Sequence, residues 1–131
     1  MLVDSNIFLE LFLGQQKKDA CRLFLNKTVS GEINATISDF TIDSILLVMF
    51  RHGSALENMR DFLHKVTNSK GLSIYSITSS DRSRALQLIE KYKLDYEDAV
   101  VLQSAISSGC SEVLSFDRDF DKVKEIKRIE P

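Results

Sequence analysis

The chain has 131 residues, a single-domain length that suffices to bury a core. Its 44% apolar and 27% charged residues exclude disorder, and one proline with five glycines excludes a low-complexity chain. The longest unbroken apolar run, Ile45 to Phe50, is six residues, far short of the ~20 needed to cross a bilayer. Met1 runs straight into Leu2-Val3-Asp4 with no basic and apolar leader, so the expectation is a soluble, cytoplasmic protein with one domain over residues 1–131. Cys21 and Cys110 form no disulfide framework and no zinc-type spacing, and Cys21 reads as a small core residue. A net charge of −2 gives no hint of a polyanionic partner.

Met1-Leu2-Val3 is a short apolar run stopped by the capping residues Asp4-Ser5-Asn6. Ile7, Phe8, Leu11 and Phe12 then step at helical spacing to Gly14. A second helix reads from about 16 to 30, with Gly31 as its stop. The run 33–37 alternates and reads as a strand. Ser38 caps a helix to about Phe50, and another spans about 54–66. Leu72 to Ile77 alternates with period two, and a helix follows from Thr78 or Ser79 to Lys91. Asp95 opens a helix over 96–108, closed by Gly109. Glu112 to Ser115 is a short strand, and Ile126 to Ile129 an edge strand with charged Lys127 and Arg128. Short strands between helices predict an α/β fold, a three-layer α/β/α sandwich. Its central sheet is mostly parallel, with about five short strands and right-handed crossovers.

Ligands of such sheets sit beyond the carboxyl ends of the strands, where strand order reverses. Asp4 directly follows the first strand, and Asp117 follows the strand 112–115 across Phe116. Asp98 lies in the first turn of helix 96–108, three, four and seven residues before Val101, Leu102 and Ala105, on the inward stripe. Burying an uncompensated carboxylate is costly, and a helix N-terminus returns only roughly 0.3–1 kcal/mol. A group of carboxylates without softer ligands selects a hard dication, Mg²⁺ or Mn²⁺. Each acid also has a plainer reading. Asp4 and the Asp95/Asp98 pair suit helix caps, and Asp117-Arg118-Asp119 suits a polar turn.

Three segments carry a family resemblance. Leu2-Val3-Asp4-Ser5-Asn6-Ile7 resembles the opening motif of PIN domains, Asp95-Tyr96-Glu97-Asp98-Ala99 their central Asp-Ala motif, and Leu114-Ser115-Phe116-Asp117-Arg118-Asp119-Phe120 their late motif. Order and spacing match, and the resemblance covers essentially the whole chain. It implies a PIN-like, Rossmann-like fold and a metal-dependent ribonuclease of the VapC toxin type. Asp4, Asp98 and Asp117 would be the Mg²⁺ or Mn²⁺ acids, with Ser115, Asp119 and Asn6 in support. The family's second motif places a Glu where this chain has Ser44. Asp43 stands beside it and Asp39 one turn earlier. Asp43, three, four and seven before Leu46, Leu47 and Phe50, is assigned as the fourth catalytic acid on the expectation that it faces inward.

The function expected is endoribonuclease action by metal-activated water, as the toxin of a toxin–antitoxin pair. The alternative is a catalytically weak RNA-binding or regulatory module. With the four acids set aside, 15 acidic against 17 basic residues leave the rest of the chain at +2, compatible with an RNA substrate. Lys17, Lys18, Arg22, Arg118, Lys122 and Lys124 are candidate phosphate contacts or simply a solvated face. A nucleotide fold of the dinucleotide-binding kind lacks its Gly-rich turn here. A phosphoacceptor receiver domain lacks a well-placed lysine. Ile42, Ile45, Leu46, Val48, Met49 and Phe50 surround their helix almost fully. That marks either a central buried helix or a face for a homodimer or an antitoxin helix.

Overall fold

A computed structural model describes residues 1–131. Its strands are β1 (Leu2–Val3), β2 (Ala35–Ser38), β3 (Leu72–Tyr75), β4 (Glu112–Leu114) and β5 (Lys127–Ile129). Its helices are α1 (Ser5–Phe12), α2 (Lys18–Ser30), α3 (Asp39–Arg51), α4 (Leu56–Thr67), α5 (Ser79–Tyr92) and α6 (Tyr96–Ser107). A 3-10 turn over Arg118–Lys122 separates β4 from β5. The sheet order is β3-β2-β1-β4-β5, and every pairing is parallel.

Strand order steps outward from β1 to β3, then returns to add β4 on the other side of β1. Right-handed crossovers therefore put α1 to α4 on one face and α5 and α6 on the other. Side chains alternate accordingly. Val3 and Leu114 pack with Ile7, Phe24, Ile45 and Met49, whereas Leu2 and Val113 pack with Leu88, Val101, Leu102 and Phe120. Cys21 is fully buried in the first cluster, as its apolar neighbours require. No helix is long and apolar enough to cross a membrane.

Helices α1, α3, α5 and α6 start at capping side chains. Ser38 Oγ accepts from Thr41 N, and Thr78 and Asp81 form a reciprocal capping box on α5. Between α4 and β3 the chain passes so close to Thr28 and Ile33 that a Cβ on Gly71 would lie 2.1 Å from the Ile33 carbonyl oxygen. Only glycine fits there.

The chain after Asp117 winds as a 3-10 turn with Arg118 and Asp119 exposed and Phe120 in the core. Of the two readings of α3, central burial is set aside. Helix α3 is not surrounded by protein. Ile42, Ile45 and Met49 are buried, while Leu47 and Phe50 are 54% and 66% exposed.

Candidate active site

Strand β1 ends at the reversal point, and Asp4 follows it as the N-cap of α1. Its carboxylate is almost fully buried. Oδ1 accepts from Ser5 N at 2.6 Å, and Oδ2 accepts from Asn6 Nδ2 at 2.7 Å and from Ser115 Oγ at 2.6 Å. Ser115 leaves the adjacent strand, so one hydroxyl ties the ends of β1 and β4 together. Asn6 Nδ2 also donates to Ser115 Oγ at 2.9 Å, and its Oδ1 accepts from Phe116 N at 3.3 Å. Asp117 N donates to Ser115 Oγ at 2.9 Å, and Asp119 N to Asp117 Oδ1 at 2.8 Å. These short-range bonds orient the whole segment after β4.

Asp98 comes to the same place from the opposite face of the sheet. Helix α6 runs antiparallel to the strands and so presents its N-terminus at their carboxyl ends. Asp95 caps it, its Oδ1 accepting from Asp98 N at 2.8 Å. Asp98 itself is 8% exposed. Carboxylate oxygens of Asp98, Asp117 and Asp119 lie within 4.8 Å of one another.

Like charges at that separation in a partly desolvated place resist ionisation. Burial first, then the charges of Asp95, Asp117, Asp4 and Asp119, push the Asp98 carboxyl up to about 7. Burial likewise raises Asp4 to about 6, against the opposing pull of its hydrogen bonds to Ser115 and Ser5 and with a further push from Glu97. The plainer reading is met at three positions, since Asp4, Asp95 and Asp117 each cap the helix or turn that follows.

The expected inward orientation of Asp43 is overturned. It is exposed on α3. Leu47 and Phe50 on its side of the helix are exposed as well, Leu46 packs only partly against the core, and the inward stripe is Thr41, Ile42, Ile45 and Met49. An apolar pattern on both sides hid which one faced the core. Asp39 is half-buried, but its Oδ1 accepts from Phe40 N at 2.8 Å and from Ile77 N at 3.1 Å, pinning α3 to the chain after β3. Ser44 is also half-buried.

Glu97 was passed over by sequence reasoning, although it lies inside the quoted central motif. Its Oε1 is 3.4 Å from Ser5 Oγ, which brings a further acid to the rim. Among the candidate phosphate contacts, Lys17 pairs with Glu130 at 2.8 Å, Arg22 with Asp19 at 3.0 Å and Lys122 with Asp119 at 3.1 Å. No buried side-chain nitrogen or oxygen lacks a hydrogen-bond partner.

Comparison with known proteins agrees with this architecture. A toxin–antitoxin complex from Klebsiella pneumoniae is 20% identical with a TM-score of 0.72, covering 95% of this chain and 93% of that one. The toxin VapC20 of Mycobacterium tuberculosis, which cleaves the sarcin–ricin loop, is 15% identical at 0.72, covering 96% and 98%. VapBC2 from Rickettsia felis, bound to a promoter DNA fragment, is 12% identical at 0.74, covering 98% and 96%. No curated protein sequence matches the chain. At these identities the shared property is the fold. The PIN domain family profile, however, matches residues 1–126, nearly the full length, and by that match this chain belongs to the PIN domain family.

Proposed function

We propose that this PIN domain is a divalent-metal-dependent endoribonuclease and the toxin of a toxin–antitoxin pair. The observation that carries the reading is the convergence of Asp98, Asp117 and Asp119 beside the buried, hydrogen-bonded Asp4. The donor set is all oxygen, and burial, joined at Asp98 by the neighbouring acids, raises the affinity of Asp98 and Asp4 for protons. Such a set fits Mg²⁺ or Mn²⁺. The chemistry supplied at this place by a bound dication is activation of water at neutral pH and neutralisation of charge on the phosphodiester.

Asp4, Asp98 and Asp117 would hold the metal, with Asp119 at the solvent side. Ser115 and Asn6 fix the Asp4 carboxylate, and Ser115 also accepts from Asp117 N, so the two acids stay in register. The N-termini of α1 and α6 both face the site and favour its anions. No nucleophilic side chain is required. On this reading Asp43 stands outside the acid set.

The partner reading follows the toxin–antitoxin complexes among the similar structures. A groove of about 520 Å³, with Phe8, Leu11, Phe12, Met49, Phe62 and Val66 among its lining, suits an apolar helix of an antitoxin. The exposed Leu47 and Phe50 on the outer stripe of α3 suit a homodimer face.

The test is cleavage of single-stranded RNA with Mn²⁺ or Mg²⁺. Cleavage that stops in EDTA supports the reading, and equal cleavage in EDTA refutes it. Ser44 at the family's Glu position favours a second reading, a PIN-fold RNA-binding or regulatory module with weak chemistry. Mn²⁺ binding with RNA binding but no cleavage would select it.

A further inference from the structure

The segment Ser115 to Asp121 carries three groups of the site and leaves the sheet between β4 and the edge strand β5. Such a segment, holding Asp117 and Asp119 against Asp98, is under like-charge repulsion and needs an external restraint. Arg128, in β5 and in register with Val113 of β4, supplies one. Its side chain is 14% exposed.

The guanidinium reaches both ends of the segment. Nη1 donates to the Ser115 carbonyl oxygen at 3.1 Å, beside the strand end. Nε donates to Asp121 Oδ1 at 2.7 Å and Nη2 to Asp121 Oδ2 at 3.3 Å, in the 3-10 turn. Nη1 donates also to Glu130 Oε1 at 2.7 Å. Glu130 in turn pairs with Lys17, whose Nζ lies 4.3 Å from the Phe116 ring centre. A planar fork spans two acceptors this way, and a lysine ammonium, a point donor, cannot.

We propose that Arg128 is a positioning residue that staples the segment bearing Ser115, Asp117 and Asp119 and so preorganises these groups for a divalent cation. The inference rests on the metal-dependent reading above. Arg128 hydrogen-bonds none of the site carboxylates; it acts on the backbone of Ser115, on Asp121 and on Glu130. Outer partners of this kind typically contribute about 10–100-fold to metal affinity.

Electrostatics alone predicts the opposite sign. Removing a cation beside an acidic site strengthens attraction for Mn²⁺. A fall in affinity on removing Arg128 therefore reports lost positioning, and a merely structural arginine would lower the thermal midpoint without weakening Mn²⁺ binding to the folded chain.

The experiment is Mn²⁺ titration followed by electron paramagnetic resonance, at a temperature where circular dichroism shows each variant folded. Arg128→Ala is expected to bind Mn²⁺ at least about 10-fold more weakly than the unaltered chain, with Arg128→Lys in between. Should Arg128→Ala not fold, Arg128→Lys, which keeps the positive charge and loses the planar fork, carries the test. Affinity that is unchanged or tighter in the folded variants overturns the proposal while leaving the nuclease reading intact. An unaltered chain that binds no Mn²⁺ overturns both.

Discussion

Ser115 Oγ donates a 2.6 Å hydrogen bond to Asp4 Oδ2 across 111 positions of sequence. The bond joins the ends of two parallel strands at the point where the order of the sheet reverses. Because Ser115 Oγ also accepts from Asp117 N, a single hydroxyl sets the relation of two of the acids. Ser115→Ala should lower stability by about 2 kcal/mol, the usual cost of losing a hydrogen bond to a charged group. Urea unfolding measures this. Because that bond also holds the Asp4 carboxyl down against burial, the same variant should move the pH midpoint of Mn²⁺ binding upward.

Asp98 is the acid most penalised by its surroundings. Asp98→Asn removes the charge and keeps the shape. Metal-dependent RNA cleavage should fall by at least about 100-fold, beyond the loss typical of an outer partner. The thermal midpoint of the metal-free protein at pH 8 should hold or rise, because the amide escapes repulsion from Asp95, Asp117, Asp4 and Asp119. A variant that unfolds would contradict this account.

The raised carboxyls predict a direction for stability against pH. Asp4 and Asp98 titrate near 6 and 7 in the folded chain and near 3.8 in the unfolded one. Between those values the folded state binds more protons than the unfolded state. Stability of the metal-free protein contributed by these groups is therefore fully present below about pH 4 and is lost as pH rises to about 7. Differential scanning calorimetry in EDTA should show this contribution disappear between about pH 4 and pH 7, and Mn²⁺ should restore stability more at pH 8 than at pH 5.

A third buried carboxylate serves the fold and not the site. Asp81 accepts from Ser107 Oγ at 2.6 Å, from Tyr75 Oη at 2.8 Å, and from Thr78 N and Oγ1 at 2.9 and 2.8 Å. These bonds outweigh burial and hold it well below the usual carboxylate range, so its contribution is present above about 4 and fades as pH falls. Asp81→Ala should cost about 2–3 kcal/mol by leaving donors between α5, α6 and β3 unpaired. Mn²⁺ affinity at a temperature well below the transition should not change.

The outer stripe of α3 gives a prediction on assembly. Phe50→Asp places a charge on a residue that is 66% exposed, so the fold should persist. Sedimentation velocity should show the unaltered chain as a dimer and the variant as a monomer. A monomer in both cases would remove the homodimer from the proposed function.

Local chemistry was largely readable along the chain. Ser38, Thr78 and Asp95 start helices where their side chains accept backbone N–H groups, and alternation marked β2 and β3 to within a few residues. Such features depend on neighbours a few positions away, so the order of residues is enough to reveal them. The placement of Asp4, Asp98 and Asp117 at one sheet edge followed from reading the topology as parallel, since helices returning between parallel strands bring their N-termini to the carboxyl ends. Orientation around α3 was different. With apolar residues on both stripes, nothing local distinguished Asp43's side from the buried one, and only packing against β2, α1 and α4 made that choice. The Arg128 staple is likewise a property of the folded molecule. Its bonds to Ser115 and Asp121 arise because β5 pairs with β4, and the chain order shows only an arginine in a short charged strand.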